Sequence, residues 1–201
     1  MDQGLTTERL VVGEMGTNCY LCWDNDSGEG VVIDPGDEGD FISEKILDRK
    51  IDLKAILLTH GHFDHVLGVL PIKLNFPVPI YLNSRDNFLY EKAGSSAEQW
   101  QGNRSDPVPP IDRDLVEGDK IRLGKSGLRV AETPGHTPGS VCLLSEENKI
   151  CFCGDLWFKN GVGRSDFSYA RPRALSESLK RIRRECQGWR ICPGHEEEFW
   201  G

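Results

Sequence analysis

Leu53-Lys54-Ala55-Ile56-Leu57-Leu58 leads without a break into Thr59-His60-Gly61-His62-Phe63-Asp64-His65. A run this short and this apolar reads as a strand covered on both faces. A chain that contains it must therefore supply a layer on each side of that strand. The strand must also deliver three histidines and an aspartate to its end. A layered α/β protein meets both demands.

The remaining elements fit such layers. Residues 18–23 and 30–33 read as two strands around the turn-rich Asn25-Asp26-Ser27-Gly28-Glu29, a hairpin. Asp34-Pro35-Gly36 ends the second strand. Asp40 is expected to cap a helix running to Arg49, with Phe41, Ile42, Ile46 and Leu47 on one buried face. Residues 66–74 and 84–92 read as helices, the second one capped, and 78–82 as a buried strand. The Gly, Ser, Pro, Gln and Asn content of residues 94–112 predicts a surface excursion, a lid or a site rim. Strand-like segments follow at 120–123, 128–132, 140–144, 150–153 and 189–192. Between the last two lies a basic amphipathic helix, 174–186, whose Lys180, Arg181, Arg183 and Arg184 read as a solvated face. At 201 residues one domain spanning 1–201 is expected.

Charge and composition exclude several functions. A net charge of -8 argues against binding nucleic acid or an anionic membrane. No stretch is long and apolar enough to span a bilayer, and Met1-Asp2-Gln3-Gly4-Leu5 lacks the pattern of a secretory signal. A cytoplasmic location is expected. The seven cysteines are Cys19, Cys22, Cys142, Cys151, Cys153, Cys186 and Cys192. Cys19 and Cys22 have the spacing of a redox pair or half a zinc site, but no second C-x-x-C completes a four-ligand set. They lie in a β-like run, where residues three apart face opposite sides. The cysteines read as small buried residues of a reduced protein.

Only five histidines occur, and three of them fall within one seven-residue segment. An H-x-H-x-D-H pattern arises by chance in about two such chains per ten thousand. A tight turn at Gly61 can aim His60 and His62 at one point, while Asp64 and His65 point from the following helix toward a neighbouring one. Imidazole suits zinc, iron, manganese or nickel, and the carboxylate hardens the second position. His136, in Thr133-Pro134-Gly135-His136-Thr137-Pro138-Gly139, and His195, in Pro193-Gly194-His195, each follow a strand in a Pro-Gly turn. Asp155 also ends a strand. Asp34 reads equally as a turn-capping carboxylate or as a partner standing behind the ligands.

These segments resemble the metallo-β-lactamase-fold superfamily, and within it the glyoxalase II-like hydrolases. The matching stretches are Val32-Ile33-Asp34-Pro35-Gly36, the histidine motif, Thr133 to Gly139, Gly154-Asp155, Gly161-Val162-Gly163-Arg164-Ser165-Asp166-Phe167 and Pro193-Gly194-His195, in family order. The resemblance implies a four-layer αββα sandwich with metals at one edge of its two sheets. It implies that His60, His62 and His136 hold a first divalent ion, that Asp64, His65 and His195 hold a second, and that Asp155 bridges them. Zinc is the expected metal, with iron or manganese as alternatives. Two such ions lower the pKa of a shared water toward neutrality, and Asp64 is expected to orient that water.

Arg164, after Gly-x-Gly, is the expected reader of an anionic substrate; its competing role is a surface ion pair with Asp166. The implied activity is hydrolysis of a small anionic thioester of the hydroxyacylglutathione type. The alternative is a persulfide dioxygenase with one iron held by two histidines and an aspartate. Relatives with a C-terminal helical domain carry much of their glutathione surface there. This chain ends six residues after His195, and its Glu196-Glu197-Glu198-Phe199 replaces the usual Gly-Pro-x-Thr. Those three carboxylates read as a solvated tail.

Overall fold

The computed structural model describes residues 4–102 and 105–201. Met1 to Gln3 of the N-terminal segment, and residues 103 and 104 of the 94–112 excursion, lie outside the described residues. Two six-stranded sheets stack face to face. In chain order the first contains β1 (Leu5–Val12), β2 (Thr17–Asp24), β3 (Glu29–Ile33), β4 (Asp52–Leu57), β5 (Ile80–Leu82) and β6 (Arg113–Asp114), which also lie side by side in that order. The first three pair antiparallel and the rest parallel. The second contains β7 (Lys120–Leu123), β8 (Ser126–Glu132), β9 (Val141–Ser145), β10 (Ile150–Gly154), β11 (Arg190–Pro193) and β12 (Phe199–Trp200). Its spatial order runs from β12 to β7, and only β10 and β11 are parallel.

Side-chain alternation on these strands produces three apolar layers. Val32, Ile56 and Leu58 meet Ile42 and Ile46 of α1 (Gly39–Asp48) and Val69 and Ile72 of α2 (Val69–Asn75). Val31, Ile33 and Leu57 face Val130, Leu143 and Phe152 between the sheets. Cys151, Cys153 and Ile191 pack on Leu175 and Ile182 of α5 (Pro172–Glu185). The fold is the expected four-layer αββα sandwich. Lys54 is accommodated by a slip in register: Gly30 pairs with Leu53, but Val31 pairs with Ala55. The skipped lysine stays outside and pairs with Asp52 and Glu29, while the strand on either side of it stays buried. Cys19 and Cys22 face opposite layers, and all seven cysteines are buried and free.

Several elements differ from the sequence reading. Asp40 does not cap α1; it lies in the first turn, and the cap position is Glu38, in left-handed backbone with no side-chain bond. Phe41 and Leu47 are exposed, so of the four residues expected on the buried face α1 buries only Ile42 and Ile46, with Gly39 and Ser43 beside them. The helix read over 66–74 is shorter, α2 (Val69–Asn75), and a 3₁₀ turn, Phe63–His65, precedes it. Residues 84–92 split into a 3₁₀ turn, Ser84–Asp86, and α3 (Asn87–Tyr90), with Asn83 accepting the capping bond from the Arg85 N–H. The 94–112 excursion contains a helix, α4 (Ala93–Gln101), seated on the small buried side chains Ala93 and Ala97. Strands β1, β6 and β12 have no counterpart in the sequence reading. Among the described residues no helix is long and apolar enough to cross a membrane.

Candidate metal centre

Five strand ends converge at one edge of the sandwich: Asp34 follows β3, His60 to His65 follow β4, His136 follows β8, Asp155 follows β10 and His195 follows β11. Two buried anchors bring their loops together. The Asp86 carboxylate accepts the Gly61 N–H at 3.0 Å, the Gly139 N–H at 2.6 Å and the Thr137 hydroxyl at 2.6 Å, tying the His60 and His136 loops to one point. Burial raises the Asp86 pKa even against these three donors. Asn18 and Tyr20 of β2 donate to the Pro193 carbonyl at 2.9 and 2.8 Å, and the Asn18 N–H donates to the Gly194 carbonyl at 2.7 Å. That holds the His195 turn against the first sheet. The chain at Gly61 does aim His60 and His62 at one point, but without a positive φ. What it needs is space, since a Cβ there would sit 2.7 Å from the Asp86 carbonyl oxygen.

The first donor set is His60, His62, His136 and Asp155. His62 Nδ1 lies 3.0 Å from both His60 Nε2 and His136 Nε2. Each ring's outward nitrogen has its own partner. His136 Nδ1 donates to the Arg164 carbonyl at 2.7 Å, and His60 Nδ1 meets the Thr59 hydroxyl at 3.1 Å. His62 Nε2 meets the Tyr169 hydroxyl at 2.8 Å. The second set is Asp64, His65 and His195. His65 Nδ1 faces Asp34 Oδ2 at 3.1 Å, which turns Nε2 toward His195 Nε2 at 3.4 Å and Asp64 Oδ2 at 3.7 Å. Asp34 also accepts from the Thr59 N–H and hydroxyl at 2.7 and 2.6 Å. It therefore stands behind the ligands rather than merely capping a turn.

Asp155 lies between the sets. Its Oδ1 is 3.6 Å from His65 Nε2, and its Oδ2 is 3.5 Å from His136 Nε2 and 3.8 Å from His195 Nε2. Oδ1 is buried and has no hydrogen-bond partner. An orphaned carboxylate oxygen in a cage of imidazole nitrogens is costly, and divalent cations complement it. Seven nitrogen and oxygen donors, with outer partners fixing the ring tautomers, fit zinc, iron or manganese.

The electrostatics of the protein alone divide the same way. Burial, reinforced by the neighbouring histidines, pushes His60 well down and His62 down to about 3, which leaves both as bare lone-pair donors. At His65 burial acts downward, but Asp64, Asp155 and Asp34 outweigh it and lift the pKa to about 10. His195 is raised in the same sense, by Asp64 and Asp155 against burial. Burial would raise Asp64, yet His65 and His195 hold it below the ordinary carboxylate range. The second set is therefore a place where three aspartates call for positive charge.

All seven residues expected as ligands thus lie in these two clusters. Arg164 lines the same cleft of about 380 Å³, together with Met15, Leu89, Trp100, Phe158, Val162, Phe167 and Tyr169. Its guanidinium pairs with Asp166 at 2.8 Å and lies over the Phe167 ring at 4.6 Å. Glu196 also faces the cleft, but the tail is not simply solvated. Glu198 forms a two-pronged pair with Arg190 at 2.8 and 2.9 Å, and Phe199–Trp200 adds β12 to β11. Asp86, Asn18, Tyr20 and Tyr169 were not singled out by the sequence. The polar Asn18 within an apolar strand was the one available signal.

A sequence profile of the Metallo-beta-lactamase superfamily matches residues 12–195. The chain belongs to that superfamily. It is 40% identical over 194 residues to an uncharacterized protein of Aquifex aeolicus (strain VF5), covering 94% of this chain and 89% of that one. It is 33% identical over 177 residues to the hydroxyacylglutathione hydrolase GloC of Haemophilus influenzae, covering 88% and 83% respectively. The crystal structure of TTHA1623 in a di-iron-bound form superposes with a TM-score of 0.87 at 37% identity, covering 96% of this chain and 94% of that one. Family and donor cluster together define a metal-dependent hydrolase of this fold that binds divalent metal.

Proposed function

We propose that this chain is a dinuclear thioesterase of the hydroxyacylglutathione hydrolase type. The observation that carries the proposal is the Asp155 carboxylate, shared between two complete donor sets at the floor of one cleft. His60, His62 and His136 would hold one ion and Asp64, His65 and His195 the other. The ions, when bound, lower the pKa of water and polarise the thioester carbonyl. The Haemophilus relative's activity supports the thioester. Zinc is the proposed metal, and the di-iron form of TTHA1623 makes iron the competing one.

The chain's own residues supply orientation and an apolar wall. The Asp64 carboxylate, which the Thr17 hydroxyl approaches at 3.4 Å, is placed to orient the attacking water. Arg164 presents its guanidinium to an anionic group on the substrate; to do so it must share or leave Asp166, and both side chains are well exposed. Met15, Leu89, Trp100, Phe158 and Val162 line the cleft with apolar surface on which the uncharged part of a substrate can pack.

Metal analysis of the purified protein, run beside a small panel of thioesters, tests the reading. Two ions per chain with turnover of an anionic thioester support it. One iron per chain with oxygen consumption on glutathione persulfide would identify a persulfide dioxygenase and sink it.

A further inference from the structure

Tyr169 lines the cleft beside the first donor set. Its hydroxyl lies 2.8 Å from His62 Nε2. Its ring stacks on Phe167 at 5.3 Å with an interplanar angle of 12°, and takes the edge of Phe88 at 5.6 Å. Phe167 in turn carries the Arg164 guanidinium at 4.6 Å and meets the His62 ring edge-on at 5.3 Å. A single aromatic slab thus joins the arginine that faces substrate to a histidine of the first donor set.

Proton placement decides what the hydroxyl does. The Arg164 carbonyl can only accept, so His136 carries its hydrogen on Nδ1 and turns a bare Nε2 inward. The Thr59 hydroxyl donates to Asp34 Oδ2 at 2.6 Å, so it accepts from His60 Nδ1, and His60 Nε2 is bare as well. His62 Nδ1, 3.0 Å from both, can join them as a third lone pair only if its hydrogen sits on Nε2. In that tautomer Nε2 needs an acceptor, and the Tyr169 oxygen is the partner at hydrogen-bond distance.

We propose that Tyr169 is a positioning residue: its hydroxyl accepts from His62 Nε2 and so holds Nδ1 free for the ion shared with His60 and His136. The proposal rests on the reading of His62 as a ligand. It differs from that reading in assigning a part of the site to a side chain that touches no ion. Partners of this kind behind a ligating histidine are worth about 10–100-fold in metal affinity.

The test is metal retention, read apart from turnover. Tyr169→Phe removes the oxygen and keeps the slab. Zn²⁺ affinity is measured by competition with a chromogenic chelator, and the visible spectrum of the Co²⁺-loaded protein reports the ligand field. Tyr169→Phe is expected to lose roughly 10–100-fold in affinity and to shift the Co²⁺ spectrum, with the melting temperature of the metal-free protein unchanged. Arg164→Ala, which trims the other side of the slab, is expected to bind metal as wild type does. Wild-type affinity and spectrum in Tyr169→Phe would overturn this inference alone. So would an equal loss in Arg164→Ala, since the slab rather than the hydroxyl would then matter. Wild-type protein that takes up no divalent ion would overturn the ligand reading as well.

Discussion

The Thr137 hydroxyl donates to Asp86 Oδ2 at 2.6 Å, a bond between residues 51 positions apart. The same carboxylate takes the Gly61 and Gly139 N–H groups, so one buried side chain sets the distance between the His60 and His136 loops. Asp86→Asn presents an NH₂ group where one of the two oxygens accepted, and it confronts at least one buried donor with another donor. A buried donor left unsatisfied costs about 1–3 kcal/mol. The expected outcome is a loss of stability of that order in denaturant unfolding, together with weaker metal binding. A variant with wild-type stability and metal content would remove Asp86 from its place as the anchor.

Gly194 is required by space at the site rather than by backbone conformation. A Cβ there would run into Asp155 Oδ1 and lie 2.7 Å from His65 Cε1. Gly194→Ala is therefore expected to act on the shared carboxylate. Metal content and activity should fall together, by more than the change in melting temperature accounts for. Metal titration beside thermal melts checks this, and an alanine variant that binds two ions normally would contradict it.

Arg164 is expected to act on substrate binding. Arg164→Ala should raise KM for anionic thioesters several-fold and leave kcat within a few-fold, the pattern of an interaction made equally in ground and transition states. Its exposed pair with Asp166 is worth little in itself, so stability should hardly change. An unchanged KM across anionic and neutral substrates would leave the guanidinium as a surface ion pair only.

Removing metal should destabilise the fold. Asp34, Asp64 and Asp155 face His65 and His195 at one buried edge, and ligand binding to the folded state alone stabilises by mass action. Treatment with a strong chelator is expected to lower the melting temperature, and stoichiometric Zn²⁺ to restore it. Identical melting curves with and without chelator would argue that the cluster holds its shape by hydrogen bonds alone.

The ligands were legible in the sequence because each follows a strand end in a short, distinctive segment. Four of them, His60, His62, Asp64 and His65, are packed into Thr59 to His65, a pattern that chance seldom produces. The layers were legible from the apolar runs of β3, β4, β9 and β10. The anchors were not. Asn18 reaches Pro193 across 175 positions, and nothing in its local sequence announces that partner. Strand β1 was missed because its side chains are largely half-exposed at a sheet edge, where alternation is weak. Helix α4 was missed because Gly94, Ser95 and Ser96 read as loop, while the helix rests on alanines whose small area leaves a faint periodicity. Leu47 failed the other way: it belongs to the apolar pattern of α1, yet it is exposed.

If Asp155 joins two metal positions, the number of ions bound per chain reports it. Metal content per chain should be measured after saturation and desalting for wild type, His60→Ala and Asp155→Ala. Two ions are expected in the wild type, with loss of metal in both variants and hydrolysis abolished in each. A wild-type protein saturating at one ion, or an Asp155→Ala variant that keeps two and stays active, would contradict it.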